Sequence, residues 1–462
     1  MRFVFTLHFV FILFLPSFAQ FGLRHNPLPG YESRLKLYID SLEIVDTHEH
    51  LLNPVDIKNS SICNFMLLYH HFSHHDIISS GMSPAEFWSV VNDRVSPREK
   101  WIRLKPYIDN SFNTTFNRIA NLAASELFGV EKINEFTVAT LSEKIQKAYQ
   151  GDWLRKVLVD KGKIAFVIQD MQDRSYGIEE RFKYLNRFDD FIYVNSKEDV
   201  EKLKTSAFTK IETIDNWVNL LNSKFYEYMS RDVVGIKIQL AYQRSLYFED
   251  VKKDKAKRIF SEILNTKEGD TLSSSHIKPF QDYMLHRVLD LVRDCHLPVQ
   301  IHTGLQSGNI NAIGNSNPTL LTNLFTQYPT IKFILLHGSY PYGGELATLA
   351  KSLPNVYIDL CWLYAISPTY SKNYLSEWLE TIPANKIMAF GGDYHNVENV
   401  YAELQVAKEV ILEVLVNKVR EGYFDEDEAR QIARMLLYDN AVKIYNLKGK
   451  TPLHRVTQIP GN

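Results

Sequence analysis

The stretch Leu42-Glu43-Ile44-Val45-Asp46-Thr47-His48-Glu49-His50-Leu51-Leu52 decides how this chain is read. A short apolar run ends in a His-x-His pair and then meets the turn-prone Asn53-Pro54. Side chains two apart on a strand point to the same face. His48 and His50 can therefore aim both imidazoles at one point where the strand stops. Two neutral imidazoles on a rigid backbone suit Zn²⁺ or a similar borderline metal. Alone the pair says little, because this spacing recurs by chance and surface histidine pairs are common. Its meaning depends on what the rest of the chain supplies.

Working outward, compact apolar runs recur at 164–168, 191–194, 233–238, 298–302, 332–337, 356–360 and 386–390. Helical stretches separate them, at 200–231, 282–295, 317–328, 344–352 and 374–381, with two more at 397–416 and 425–445. With the first strand this makes eight strands alternating with helices. Runs apolar on both faces suit a parallel sheet covered by helices, and eight such units predict an α/β fold, a closed (β/α)₈ TIM-like barrel. An open doubly wound sheet is the alternative, but no glycine-rich phosphate turn follows any strand. A short amphipathic helix is expected at 31–41, ahead of the first strand. Residues from about 55 to 155 interrupt the rhythm with helical signals only. Ser83-Pro84-Ala85-Glu86 has the form of a helix start with proline at its first position, and further helices are expected at 97–107, 115–128 and 140–150. This reads as a helical insertion on the side of the histidine pair, placed to cover it as a lid.

Composition narrows the function classes. Hydrophobic residues at 45% and charged residues at 23% describe a globular chain with an ample core. A net charge of −2 argues against a nucleic-acid partner. Three cysteines, Cys63, Cys295 and Cys361, form no disulfide framework, although one bridge stays open in an oxidising compartment. No Cys-x-x-Cys pair offers a thiolate zinc site. Residues 1–19 read as a signal peptide: Arg2 supplies the positive region, Phe3 to Leu15 the apolar one, and Ser17-Phe18-Ala19 the cleavage site. Cleavage would leave Gln20 first and residues 20–462 as the mature barrel. An uncleaved anchor is the alternative. The expectation is a periplasmic or secreted protein that holds no membrane after cleavage and acts on a small-molecule substrate. A homo-oligomer is left open.

Polar residues sit at the ends of the apolar runs. His302 ends one run, His337 ends the next, and Asp393 follows Phe390-Gly391-Gly392. Lys237 lies inside the 233–238 run, an odd place for an ammonium. Each has a bland explanation, such as a core histidine bonded to a carbonyl or an aspartate capping a helix. Together they would converge, because the C-terminal strand ends of a barrel share one mouth, where active sites lie.

This pattern resembles the amidohydrolase superfamily, and within it the amidohydrolase-related branch. That family carries His-x-His after strand one, sometimes a lysine on strand four, histidines after strands five and six, and an aspartate after strand eight. The matching residues are His48, His50, Lys237, His302, His337 and Asp393. The segments 235–244, 298–305 and 335–342 resemble the amidohydrolase domain that fungal and plant proteins fuse to a glutamine-synthetase-like half. The insertion also has the flavour of uronate isomerases. The resemblance implies that His48, His50 and His302 hold a divalent cation with Asp393, most simply Zn, with Mn or Fe as alternatives. One or two ions are implied. Lys237 decides which: carboxylated by CO₂ it would bridge two, and as an ammonium it would bind a substrate carboxylate. The sequence leans slightly to one ion, because it does not fix the register of Lys237. Asp393 and His337 are the expected catalytic residues, the first as proton carrier, the second as a further ligand or a polarising group. Tyr242, Arg244, Gln169, Asp170, Asn309, Trp362 and His395 follow strands and are candidates for the substrate pocket. Arg244, with its forked donors, hints at an acidic substrate, and a surface ion pair is the equal alternative for it. The expected reaction is hydrolysis of an amide, lactone or related C–N or C–O bond. Decarboxylation or uronate isomerisation on the same scaffold is the alternative, and a non-catalytic binding protein the third reading.

Overall fold

A computed structural model describes residues 28–170, 176–204, 210–229, 233–308 and 311–448. The expected signal at 1–19 and the candidate Asn309 lie outside them. Eight parallel strands run in chain order: β1 (Ile44–Glu49), β2 (Ile164–Asp170), β3 (Phe182–Arg187), β4 (Val233–Ile238), β5 (Val299–Ile301), β6 (Phe333–Leu335), β7 (Val356–Asp359) and β8 (Ile387–Met388). Each pairs with the next, and β8 returns to β1 through hydrogen bonds from Thr47 N to Phe390 O (3.1 Å) and from Asp393 N to His48 O (3.0 Å). The sheet is thus a nearly closed barrel, as the alternation of runs predicts.

Every residue of β1 is buried, its polar Asp46, Thr47, His48 and Glu49 included. Inside the barrel, Val45, Ala165, Ile168, Leu185, Ile334, Leu336 and Met388 meet Tyr438, Ala441, Ile444 and Tyr445 from the C-terminal helical segment. That segment plugs the bottom of the barrel, opposite the C-terminal strand ends. Gln300 reinforces the plug by donating to the Tyr445 hydroxyl at 2.7 Å and to Thr47 O at 2.8 Å.

The third strand is a correction. The apolar run at 191–194 is not a strand: Asp189–Ile192 is one helical turn, and β3 lies at Phe182–Arg187. The sequence Phe-Lys-Tyr-Leu-Asn-Arg lacks a continuous apolar run, and Lys183, Tyr184 and Arg187 are only half-buried. The apolar run that seemed more strand-like instead packs Phe191 on Trp217, whose indole donates to Phe191 O at 3.1 Å. The expected helix at 200–231 is likewise two helices, Lys197–Leu203 and Ile214–Met229.

Between β1 and β2 the described chain is helical, from Pro54–Asn59 through Trp153–Arg155. Side chains of the segment after β8 fix this insertion to the barrel. Asn396 and Asn399 donate to the carbonyls of Leu67 and Leu68 at 3.0 and 3.2 Å. Buried Glu398 accepts from the Trp153 indole at 2.8 Å and from the Tyr149 hydroxyl at 3.1 Å. Burial pushes the Glu398 carboxyl up to about 7. A carboxyl raised in the folded state holds its proton there more tightly than in the unfolded chain, so its contribution is complete below about pH 4.5 and is lost as pH rises through about 7. Glu398→Gln keeps an acceptor for Trp153 and removes the titration. It is expected to gain about 1–3 kcal/mol relative to the native chain at pH 8 but not at pH 5, measured by denaturant unfolding at both. Equal gains at the two pH values would contradict it.

The three cysteines are unbridged. Among the described residues no helix is long and apolar enough to cross a membrane.

Candidate metal centre at the barrel mouth

The His-x-His geometry follows from β1. His48 and His50 stand at its end with rings edge to face, centroids 4.9 Å apart. Asp393 comes from the turn after β8, where it adopts a left-handed backbone (φ 62°), and its Oδ1 lies 3.1 Å from His50 Nε2 and 3.6 Å from His48 Nε2. One donor atom from each of the three lies within 4.8 Å of the others, the spacing of a set that could hold one ion. β4 brings Lys237 to the same place: buried in register with Arg187 and Gln300, it puts Nζ 3.2 Å from His48 Nε2.

A second pair faces this group. His302 Nδ1 and His337 Nε2 approach to 3.0 Å. The other nitrogen of His302 points at the carbonyl of Leu305 (2.9 Å), and that of His337 at the carbonyl of Cys361 (3.1 Å). A carbonyl only accepts, so both of those nitrogens carry hydrogen, and the facing atoms are two lone pairs. Burial pushes His302 well below its ordinary value and His337 down to about 4, so a proton shared between them is disfavoured near neutral pH. A cation between the rings would satisfy both lone pairs. Burial also holds His48 neutral, the form that ligates. Asp393 stays ionised: burial works to raise it, but the hydrogen bond from His50 and the nearby positive groups outweigh that and hold it low. Burial pushes the Lys237 ammonium down. The donor set therefore fits a divalent cation on the chemistry of its atoms. His337, Cys361 and Asp393 form a further close group, but burial pushes the Cys361 thiol well up, which favours the thiol over a thiolate ligand.

The centre opens into a cavity of about 260 Å³ lined by His48, His50, Lys237, His302 and Asp393 together with His71, Phe72, Gln239, Tyr242, Ser307 and His395. Tyr242 packs on the His302 ring (4.8 Å), and its hydroxyl accepts from Ser307 N at 2.9 Å. His395 stacks on His71 at 3.7 Å and stands edge-on to His50.

Other candidates are placed differently. Arg244 is a correction: buried outside the cavity lining, it pairs with Asp282 at 2.7 Å and donates to Gln281 and to the carbonyls of Ser245 and Tyr247. Its fork is filled by its own fold, so it offers nothing to a substrate. Gln169 is a second correction, its carboxamide bonded to both N and O of Leu51. Trp362 stands behind the wall, stacked on Phe72 at 4.2 Å and edge-on to His337. Asp170 is fully buried 3.9 Å from His50 and 4.0 Å from His48, gripped through both oxygens by Arg187 Nε at 2.9 Å.

Sequence reasoning missed Arg187, His71, Phe72, Gln239 and Ser307. Arg187 went unplaced because β3 was read too late in the chain. His71 and Phe72 reach the cavity from the insertion, and the doubled pairs in His70-His71-Phe72-Ser73-His74-His75 were a legible signal. Phe72 has φ 38°, a strained value for a bulky residue, held by its stacking on Trp362.

Fold and donor set define an eight-stranded parallel barrel with a candidate metal site at its mouth. Residues 264–447 match a family model described as Amidohydrolase. Protein fluG of Emericella nidulans is 29% identical over 228 residues, covering 48% of this chain and 26% of that protein. A uronate isomerase of Rhizorhabdus wittichii is 24% identical over 216 residues, covering 43% and 46%. The chain thus spans less than half the length of these curated relatives. The crystal structure of a uronate isomerase from Thermotoga maritima superimposes with a TM-score of 0.73 at 18% identity, covering 90% of this chain and 97% of that one, a likeness of fold. The match to the Amidohydrolase family model covers the stretch from 264 to 447, which holds His302, His337 and Asp393 among the strand-end residues.

Proposed function

We propose that this chain is a metal-dependent hydrolase that cleaves an amide, lactone or related bond of a small acidic substrate. The observation that carries the reading is the pair of donor groups, His48–His50–Asp393 and His302–His337, at one cavity with Lys237 Nζ 3.2 Å from His48 Nε2. His48, His50 and Asp393 would hold one cation, and His302 and His337 a second. Carboxylation of the Lys237 amine by CO₂, with loss of one proton, would give the anion that joins them. A divalent cation there supplies a Lewis acid that polarises the substrate and lowers the pKa of water from ~15.7 towards ~7.

The chain's own residues do the rest. Asp393, ionised and open to the cavity, takes a proton from the attacking water and returns it to the leaving nitrogen or oxygen. Asp170 and Arg187 offset one another beside the histidines, so a bound divalent ion leaves the mouth positive, which suits a substrate anion. Tyr242, Ser307 and Gln239 line the wall where its polar groups would rest, and His71 and Phe72 cover it against water. The cavity limits the substrate to about the size of a monosaccharide or an acylated amino acid.

Isomerisation of a uronic acid is the second reading, favoured by relatives and a fold neighbour named as uronate isomerases. A panel of sugar lactones, N-acyl amino acids and uronic acids, followed by product analysis, separates the two. Release of a new acid or amine is the expected result. An aldose–ketose change without hydrolysis would replace the first reading with the second.

A further inference from the structure

Asp393 is presented by a short turn, and β1 grips that turn from below. Gly392 N donates to Asp46 Oδ1 at 3.3 Å, and Tyr394 N donates to Glu49 Oε2 at 2.8 Å. The Asp393 amide itself donates to His48 O at 3.0 Å. Three successive amides of the turn are therefore bound by the strand that carries His48 and His50. Glu49 and Asp46 are fully buried, and neither belongs to the donor groups described above. Each keeps a second buried oxygen, Asp46 Oδ2 and Glu49 Oε1, that takes part in no hydrogen bond. The fit is close on the other side too: a Cβ added at Gly392 would lie 2.2 Å from Glu49 Oε1.

We propose that Glu49, acting alongside Asp46, is a positioning residue that holds the left-handed turn at Asp393 and so sets its carboxylate against His50 and His48. Glu49 and Gly392 act as a matched pair, since the carboxyl occupies the space a side chain at 392 would need. The inference rests on the reading of Asp393 as a metal ligand. One strand then supplies two donors and fixes the third, which explains a buried carboxyl between two histidines without making it a ligand. Residues that orient metal ligands typically change metal affinity by 10–100-fold when removed.

The test measures Zn²⁺ affinity by competition with a chromophoric chelator, alongside the thermal midpoint, for the full chain and its E49A, E49Q and G392A variants. E49A is expected to bind Zn²⁺ about 10–100-fold more weakly. E49Q, whose amide oxygen accepts from Tyr394 N and whose NH₂ donates to Asp46, is expected to stay within about threefold of the native chain. G392A is expected to weaken binding as E49A does, and the double variant to be no weaker than either single one. Should E49A not fold, E49D, one methylene too short to reach Tyr394 N, carries the same expectation. Native affinity in E49A or E49D, or E49Q as weak as E49A, overturns the proposal. Failure of the native chain itself to bind Zn²⁺ would sink the hydrolase reading instead, so the two failures are distinct.

Discussion

Asp393→Asn is expected to lower turnover by about 10²–10⁴-fold per bound metal, with a thermal midpoint close to that of the native chain. Asparagine fills the same volume and keeps an oxygen for His50, whose Nε2 lies 3.1 Å from the Asp393 carboxylate. It cannot take a proton from water or return one to a leaving group. The loss should therefore fall on kcat, with KM changed little. The measurement is steady-state kinetics on the substrate found in the panel, with metal content determined on the same preparations. A variant that keeps native kcat would remove Asp393 from the chemistry.

Arg244→Ala carries the largest expected effect on stability, a loss of about 3–5 kcal/mol. The sequence offers two places for this arginine, the pocket or an ion pair, and only in the first would its removal act through substrate binding. The structure puts it against Asp282, which is fully buried. Truncation strands that carboxylate and frees the carbonyls of Ser245 and Tyr247. Lys278 also pairs with Asp282, which moves the expectation towards the lower end of the range. Urea unfolding of the native chain, of Arg244→Ala and of Arg244→Ala with Asp282→Asn decides the matter. The double variant should recover part of the loss, because the stranded charge is gone. A stable single variant with raised KM would restore the pocket role.

The barrel was legible because seven of its strands are runs that a parallel sheet buries, and their polar ends mark one mouth. β3 was not, because Lys183, Tyr184 and Arg187 are only half-buried and polar residues break its apolar pattern. That one slip hid Arg187, whose guanidinium holds Asp170 beside the histidines. The His48–His50 pair could be read from alternation along a strand. The opposition of His302 and His337 could not, since it depends on where Leu305 and Cys361 place their carbonyls. Arg244 and Gln169 were misjudged for a related reason: residues just past a strand end can point into the mouth or into the surrounding fold, and spacing alone does not choose. The register of Lys237, open in the sequence, is set by its pairing with Arg187 and Gln300 on either side.

The central claim is a metal centre in which Lys237 joins two donor groups. Elemental mass spectrometry of metal-replete protein purified with bicarbonate, native and Lys237→Ala, tests it most directly. The account predicts about two ions per chain in the native protein and about one or none in the variant. About one ion in both would contradict the bridging role and leave a single-ion centre, and no metal in either would contradict the enzyme assignment itself.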